Sequence, residues 1–102
     1  MSTKNKILTV TDLQKTYGKI TFGKLLESHR LSIDLTQKEL SKTLGISASS
    51  LCDLEKERKI PSPGRAAKIA KKLKVSVKIF VEIALQDQLE AEGLGELKVS
   101  VA

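Results

Sequence analysis

The sequence predicts an all-α fold of five helices followed by a short strand-like tail. The apolar share is 40% but the aromatic share is only 3%, so the core must rest on aliphatic residues, which suits packed helices. Residues that favour helix starts precede each stretch of helical apolar spacing. At the end of the chain, apolar and polar residues alternate with the period of a strand, the apolar ones being Leu97, Val99 and Val101.

The first two helix starts are threonines. Thr21 can cap a helix whose apolar residues fall near helical spacing: Phe22, Leu25, Leu26 and Ile33. Thr36 and Glu39 form the pattern of a capping box, in which the hydroxyl accepts a backbone N–H and the carboxylate reaches back. We expect the helix that they open to end at Gly45, because glycine tolerates the left-handed backbone that closes a helix.

The three remaining helix starts are serines: Ser47, Ser62 and Ser76. The helix that follows Ser47 is predicted to run to about Glu57, before the next proline. Ser62 precedes a proline at the first helical position, which favours a start there. Ser76 is predicted to open a last, long helix through about Glu92, where glycines end it.

These elements divide the chain into three parts. We predict a partly ordered N-terminal extension over residues 1–20, one helical domain with a dimerisation helix over residues 21–92, and the strand-like tail over residues 93–102. The charge is uneven, because Gly64 to Lys78 contains six basic residues and no acid, whereas Ile79 to Ala102 is acidic. A basic body indicates a polyanionic partner, although solubility alone would explain most of these lysines.

Several classes of protein are excluded. No apolar run approaches the roughly 20 residues that span a bilayer, so no membrane partner is expected. One cysteine and one histidine provide no metal-ligand cluster and no disulfide, so we expect no metal, no cofactor and a cytoplasmic location. No catalytic triad, phosphate-binding glycine loop or paired carboxylates indicate an enzyme. Cys52 is interpreted as a small residue at a small position rather than a thiol switch.

The stretch from Gln37 to Leu54 has the spacing of a helix-turn-helix. Two helices that meet at a steep angle need a small residue where they cross, here Ser41, and a turn residue, here Gly45. Apolar residues lock the second helix against the first: Leu40, Leu44, Ile46, Leu51 and Leu54. The outward face of the second helix is then free to enter a major groove of DNA.

With this motif in place, the chain resembles the lambda-repressor-like, Cro-type helix-turn-helix family, often called the XRE family. The resemblance covers Thr21 to about Glu82 and rests on five segments: Leu35 to Leu40, Leu44 to Ser47, Leu54 to Lys56, Pro61-Ser62 and Ile69 to Leu73. It implies a five-helix lambda-repressor-like DNA-binding domain. It also implies a sequence-specific transcriptional regulator, expected to be a repressor that binds double-stranded DNA.

The resemblance assigns residues to DNA contact as follows. Gln37 matches a position that usually contacts a phosphate, and Lys56 and Lys59 match backbone-contacting positions. The full set of expected DNA-binding residues is Gln37, Lys38, Ser47, Ala48, Ser49, Ser50, Asp53, Lys56 and Lys59. Two of these depart from the family pattern, because Ala48 offers only a methyl group and Asp53 places a carboxylate near phosphates. The expected reading face is therefore short and nearly uncharged.

The last helix carries more apolar residues than one buried face requires. The excess predicts a covered second surface, and a two-fold homodimer on a palindromic operator fits it best. The expected interface consists of Val77, Phe80, Val81, Ala84, Leu85, Leu97, Val99 and Val101. The tail residues among these are predicted to pair with the symmetry mate or with another sheet edge.

An alternative interpretation concerns the partner. Small single-domain members of the family often resemble antitoxins, which bind and neutralise a toxin protein and repress their shared operon. The acidic tail would suit a small basic toxin. The sequence itself leaves the homodimeric repressor and the antitoxin both open.

Overall fold

The computed structural model describes residues 19–101, so most of the predicted N-terminal extension lies outside the described residues. Within that range the chain forms five α-helices and no strand. They are α1 (Phe22–Ser32), α2 (Gln37–Leu44), α3 (Ala48–Glu55), α4 (Pro63–Leu73) and α5 (Val77–Ala91). The predicted all-α architecture of five helices is confirmed.

Each helix begins where the sequence predicts a cap. The side chains of all the expected cap residues accept a backbone N–H of the first turn: Thr21, Thr36, Ser47, Ser62 and Ser76. At α2 the capping box is complete, because Thr36 N donates to Glu39 Oε1 at 2.9 Å. That hydrogen bond lowers the pKa of Glu39. These local bonds satisfy N–H groups that a helix terminus would otherwise leave without partners.

One core joins the five helices. Its fully buried side chains come from every helix, and the largest are Phe22, Leu26, Leu40, Leu51 and Ile83. Phe22 and Phe80 meet edge to face with ring centroids 5.6 Å apart, a favoured geometry for two aromatic rings. Ile33, which falls near the apolar spacing of α1 in the sequence, is the C-cap of that helix and 44% exposed.

The tail does not form the predicted strand within the described residues. A strand needs hydrogen bonds to the backbone of a neighbouring strand, and here side chains of α5 form the hydrogen bonds to the tail instead. Gln86 Nε2 donates to the carbonyl oxygen of Leu97 at 2.8 Å, and Val99 N donates to Gln86 Oε1 at 3.0 Å. One helical turn away, Val101 N donates to Glu82 Oε2 at 2.7 Å. The alternate residues 97, 99 and 101 therefore face α5 with their backbone atoms, as in an extended segment.

Candidate nucleic-acid interface

The outward face of α3 consists of Ala48, Ser49, Cys52, Asp53 and Lys56. On the opposite side, Leu51, Leu54 and Glu55 are buried against the rest of the domain. Ala48, Ser49 and Lys56 are exposed, and Cys52 and Asp53 are partly exposed. The helix is two residues shorter than predicted, since it ends at Glu55. Because only one side of α3 packs inward, the outward face lies on the surface of the protein, as the motif predicts.

The turn between α2 and α3 is held from two sides. Gly45 adopts the left-handed conformation with φ 72°, as predicted. Ile46 N donates to the Ser41 carbonyl oxygen at 3.0 Å. From α4, Lys72 Nζ donates to the carbonyl oxygen of Leu44 at 2.9 Å. A lysine of the basic run therefore caps the C-terminus of α2, where a positive charge is also favoured by the helix dipole.

A buried ion pair joins α1 to the end of α3. Arg30 Nε donates to Glu55 Oε2 at 2.8 Å, and Arg30 Nη2 donates to Glu55 Oε1 at 3.1 Å. The side chain of Glu55 is only 1% exposed and that of Arg30 only 11%. The Glu55 carboxylate raises the pKa of Arg30. Arg30 also donates to the Leu35 carbonyl oxygen at 2.9 Å, so its guanidinium bridges the end of α1, the loop before α2 and the end of α3.

Gln37 belongs to the same network. Its Nε2 donates to Glu55 Oε1 at 2.9 Å. An amide nitrogen carries two hydrogens, so the second remains for a ligand such as a phosphate oxygen. The buried ion pair thus orients the side chain that the family resemblance assigns to a phosphate contact.

Sequence reasoning missed the roles of Arg30 and Glu55. A signal was present, because Glu55 shares the inward side of α3 with Leu51 and Leu54. A carboxylate at a core position requires a cation and hydrogen bonds. The identity of that cation was not readable, since Arg30 lies on another helix.

Arg58 is a further residue that the sequence did not single out. Glu57 adopts a left-handed backbone with φ 64°, and Arg58 N donates back to the Asp53 carbonyl oxygen at 2.9 Å. The Arg58 side chain returns over the outward face of α3, where Nε donates to Asp53 Oδ1 at 2.9 Å. Its Nη2 lies 3.3 Å from Cys52 Sγ. Asp53 raises the pKa of Arg58. A guanidinium therefore lies on the outward face of α3, paired with the carboxylate of Asp53.

The remaining expected DNA-binding residues divide into two groups. Lys38 and Lys59 are exposed. Ser47 and Ser50 are occupied with each other, since Ser47 Oγ accepts from Ser50 N at 3.0 Å and donates to Ser50 Oγ at 3.0 Å. Ser47 is thus mainly the cap of α3.

The expected dimer interface is only partly accessible. Phe80 is 4% exposed and Ala84 is fully buried, so both belong to the core of the protomer and cannot contact a partner. They lie on the inner side of α5, which the run of apolar residues in the sequence could not distinguish from the outer side. The accessible residues are Val77, Val81, Leu85, Val99 and Val101, which are half-buried, and Leu97, which is 52% exposed.

A cleft lies between α1, the end of α3 and α5, and its lining includes three acidic residues and two lysines. Asp87 Oδ2 accepts from Phe22 N at 2.8 Å and so caps α1 from another helix. Burial raises the pKa of Asp87 despite that hydrogen bond. Lys19 pairs with Glu90 at the rim. Among residues 19–101, no group of three or more histidine, cysteine or acidic side chains could hold a metal ion.

The comparisons with known proteins agree with this geometry. A family model described as helix-turn-helix matches residues 26–80, which is more than half of the chain. The matched range includes α2, the turn and α3 together with α4. No curated protein and no solved structure matches the chain. None of the helices in the described range has both the length and the apolar content needed to cross a bilayer.

Proposed function

Because the chain belongs to the helix-turn-helix family of Cro and lambda-repressor-like DNA-binding regulators, we propose that it is a sequence-specific repressor that binds a palindromic operator as a homodimer. We place its action in the cytoplasm and assign it no catalytic step. The observation that carries the proposal is the outward face of α3. This face is polar and accessible, and the rest of α3 is locked by the core and by the Arg30–Glu55 pair.

The size of α3 suits duplex DNA. The major groove admits one α-helix, and the base edges there present a distinct pattern of donors and acceptors for each base pair. In this arrangement Ala48 and Ser49 approach the bases, Ala48 through its methyl group. Gln37, Lys38, Lys56 and Lys59 approach the phosphates and fix the register of the protein on the duplex.

The direct test is Ser49→Glu, which places a carboxylate in the middle of the outward face. Ser49 is exposed, so the variant keeps its fold and its oligomeric state, as circular dichroism and sedimentation will show. We expect specific DNA binding to be lost, because the added charge repels the phosphates on both sides of the groove. Ser49→Ala is the matched control and should retain most of the affinity. Unchanged affinity of Ser49→Glu would mean that another element binds the DNA.

Phosphate contacts should make binding strongly dependent on salt. Each neutralised phosphate adds about −0.9 to the slope of log K against log salt concentration. Lys56→Ala or Lys59→Ala should therefore weaken binding to all sequences alike and make the slope shallower by about one unit. Tight binding with a shallow slope in the wild type would contradict this part of the proposal.

The homodimer is supported by the outer side of α5. Val77, Val81 and Leu85 are half-buried, lie next to one another along the helix and leave apolar surface for a second copy. A two-fold dimer would present two copies of α3 to half-sites about 34 Å apart. We expect Leu85→Asp to produce a monomer in sedimentation experiments. Leu31→Asp, at a residue that is 60% exposed on α1, is the control and should leave the dimer intact.

The alternative function is that of an antitoxin, and one observation favours it. Gln86 and Glu82 bond the inner side of the tail. The backbone groups of Lys98 and Ser100 make no hydrogen bond to any other described residue. This open edge can add a strand of a partner protein. If the neighbouring gene encodes a small toxin, the full chain should restore growth when the two are expressed together. A variant shortened after Glu96 should fail to do so, while a chain without any toxin partner would show neither effect.

A further inference from the structure

We propose that Arg58 is a specificity-determining residue that reads a guanine in the major groove, and that Asp53 is the positioning residue that aims it. This inference rests on the proposed DNA-binding function and names the base that the outward face of α3 recognises. It also changes the role expected for Asp53, from a DNA-contacting residue to a support for Arg58.

The position of the guanidinium is set by the backbone. The left-handed Glu57 turns the chain, and Arg58 N then bonds to the carbonyl oxygen of Asp53. This turn sends the Arg58 side chain back along α3. It rests over Asp53 and Cys52, which both belong to the outward face. Because 58% of the Arg58 side chain is exposed, its guanidinium remains open to a ligand.

The hydrogen bonds leave a particular set of donors free. Nε is used by Asp53 Oδ1, and one hydrogen of Nη2 points to the weak acceptor Cys52 Sγ. Both hydrogens of Nη1 and the second hydrogen of Nη2 make no bond to any described residue. The end of the guanidinium therefore offers two neighbouring donors. Guanine presents two neighbouring acceptors in the major groove, O6 and N7, and arginine pairs with them bidentately.

A phosphate is the competing ligand for any arginine, and the Asp53 carboxylate argues against it. The Asp53 carboxylate lies 2.9 Å from the guanidinium, so the pair as a whole carries almost no net charge. Attraction to a phosphate depends on net charge and is therefore weak for this pair. A hydrogen bond to a neutral base edge depends instead on the direction in which the donors point, and the Asp53 carboxylate fixes that direction. Lys56 and Lys59 are exposed and form no ion pair with a described residue, so they are better suited to phosphates.

The experiment is a selection of binding sites from a random duplex library, using the full chain. The wild type should enrich a guanine at one position of each half-site. In Arg58→Lys, which keeps the charge but loses the planar pair of donors, discrimination at that position should fall by about 5- to 150-fold. The other positions of the site should stay the same. Asp53→Asn should lower the discrimination at the same position, because it removes the charged support but keeps the shape.

Two controls separate the possible causes. Arg65→Lys changes an exposed arginine on α4 and should leave every preference unchanged. Thermal unfolding of each variant should match the wild type closely, since Arg58 and Arg65 are both exposed. An unchanged guanine preference in Arg58→Lys would overturn the inference. So would a uniform loss of affinity in Arg58→Ala with a shallower salt slope, because it would identify a phosphate contact. If the wild type enriches no sequence at all, the proposed function fails, and this inference fails with it.

Discussion

Arg30 and Glu55 form a bidentate ion pair across 25 residues of sequence, with donor–acceptor distances of 2.8 and 3.1 Å. The pair connects α1 to the end of α3 and is almost completely withdrawn from water. Three donor groups converge on one carboxylate, two from Arg30 and one from Gln37. The orientation of α3 therefore depends on a single buried charge and its partners.

We expect Arg30→Ala to lower the free energy of unfolding by about 3–5 kcal/mol, because it leaves the Glu55 carboxylate buried without a cation. Urea unfolding followed by circular dichroism measures this loss. The matched control is Arg58→Ala, which removes an exposed ion pair and should change the free energy of unfolding only slightly. Similar losses for the two variants would show that burial of the Arg30 pair is not what makes it important.

Gly23 marks a close approach of helices. A Cβ atom at this position would lie 2.5 Å from the carbonyl oxygen of Leu54 and 2.8 Å from that of Glu55. Both are backbone atoms, so neither can move without displacing α3. We expect Gly23→Ala to lower the free energy of unfolding by about 1–3 kcal/mol or more, and to weaken DNA binding because α3 shifts.

The control for that substitution lies in α4. Gly64 is also the second residue of its helix, and a Cβ atom there would meet nothing within 4 Å. Gly64→Ala should therefore stabilise the protein by about 0.4–1 kcal/mol, since alanine restricts the unfolded chain and favours helix. A destabilising Gly64→Ala would mean that crowding is not the difference between the two sites.

Glu57 is strained by its left-handed backbone at φ 64°. Glycine adopts this conformation without the clash of a Cβ atom, so Glu57→Gly should raise the free energy of unfolding by about 1 kcal/mol. Thermal or urea unfolding will measure the change. Glu92→Gly is the matched control, because Glu92 also lies just after a helix but has φ −101°. There we expect a small loss, since glycine adds only freedom to the unfolded chain.

Asp87 should raise the free energy of unfolding as the pH falls, which is opposite to the usual effect of a carboxylate. Its pKa in the folded protein is raised by burial, so the folded state binds the proton more tightly than the unfolded chain. The wild type therefore gains stability from this residue as the pH falls through the raised pKa towards the ordinary value of an aspartate. Asp87→Asn lacks this gain, and its stability relative to the wild type should decrease from neutral to mildly acidic pH.

Glu39 should show a pH dependence of the opposite sign. Urea unfolding at a series of pH values measures the free energy of unfolding for both variants and the wild type. Its pKa is lowered by the hydrogen bond from the Thr36 backbone. Its contribution is therefore present above the ordinary pKa of a glutamate and is lost as the pH falls through the lowered value. Glu39→Gln should be less stable than the wild type near neutral pH, and the difference should shrink in acid. The same trend in both variants would contradict the assignment of the two shifts.

The elements that sequence analysis located correctly depend on neighbouring residues. A hydroxyl at a cap bonds an N–H three residues later, as at Thr36 and Ser47, and Gly45 closes α2 through its own backbone. Such signals lie within one turn of helix and can be read from the sequence alone. The helix-turn-helix and its outward face follow from them.

The features that sequence analysis missed join residues far apart or depend on an uncommon backbone. Nothing near Glu55 indicates Arg30 as its partner. Arg58 reaches Asp53 because Glu57 adopts the left-handed conformation, which a glutamate in the sequence does not indicate. The hydrogen bonds from Gln86 to the tail require the chain to fold back along α5. Each depends on how complete elements pack, and local pattern does not specify that.

The hydrogen bonds that attach the tail to α5 use backbone atoms of the tail and none of its side chains. Gln86 and Glu82 bond the carbonyl oxygen of residue 97 and the N–H groups of residues 99 and 101. Every amino acid provides the carbonyl, and every one except proline provides the N–H. Leu97, Lys98 and Ser100 are exposed. They can be exchanged over evolutionary time without releasing the segment. A protein built in this way can acquire new binding specificities at its C-terminal end while the DNA-recognition half stays unaltered.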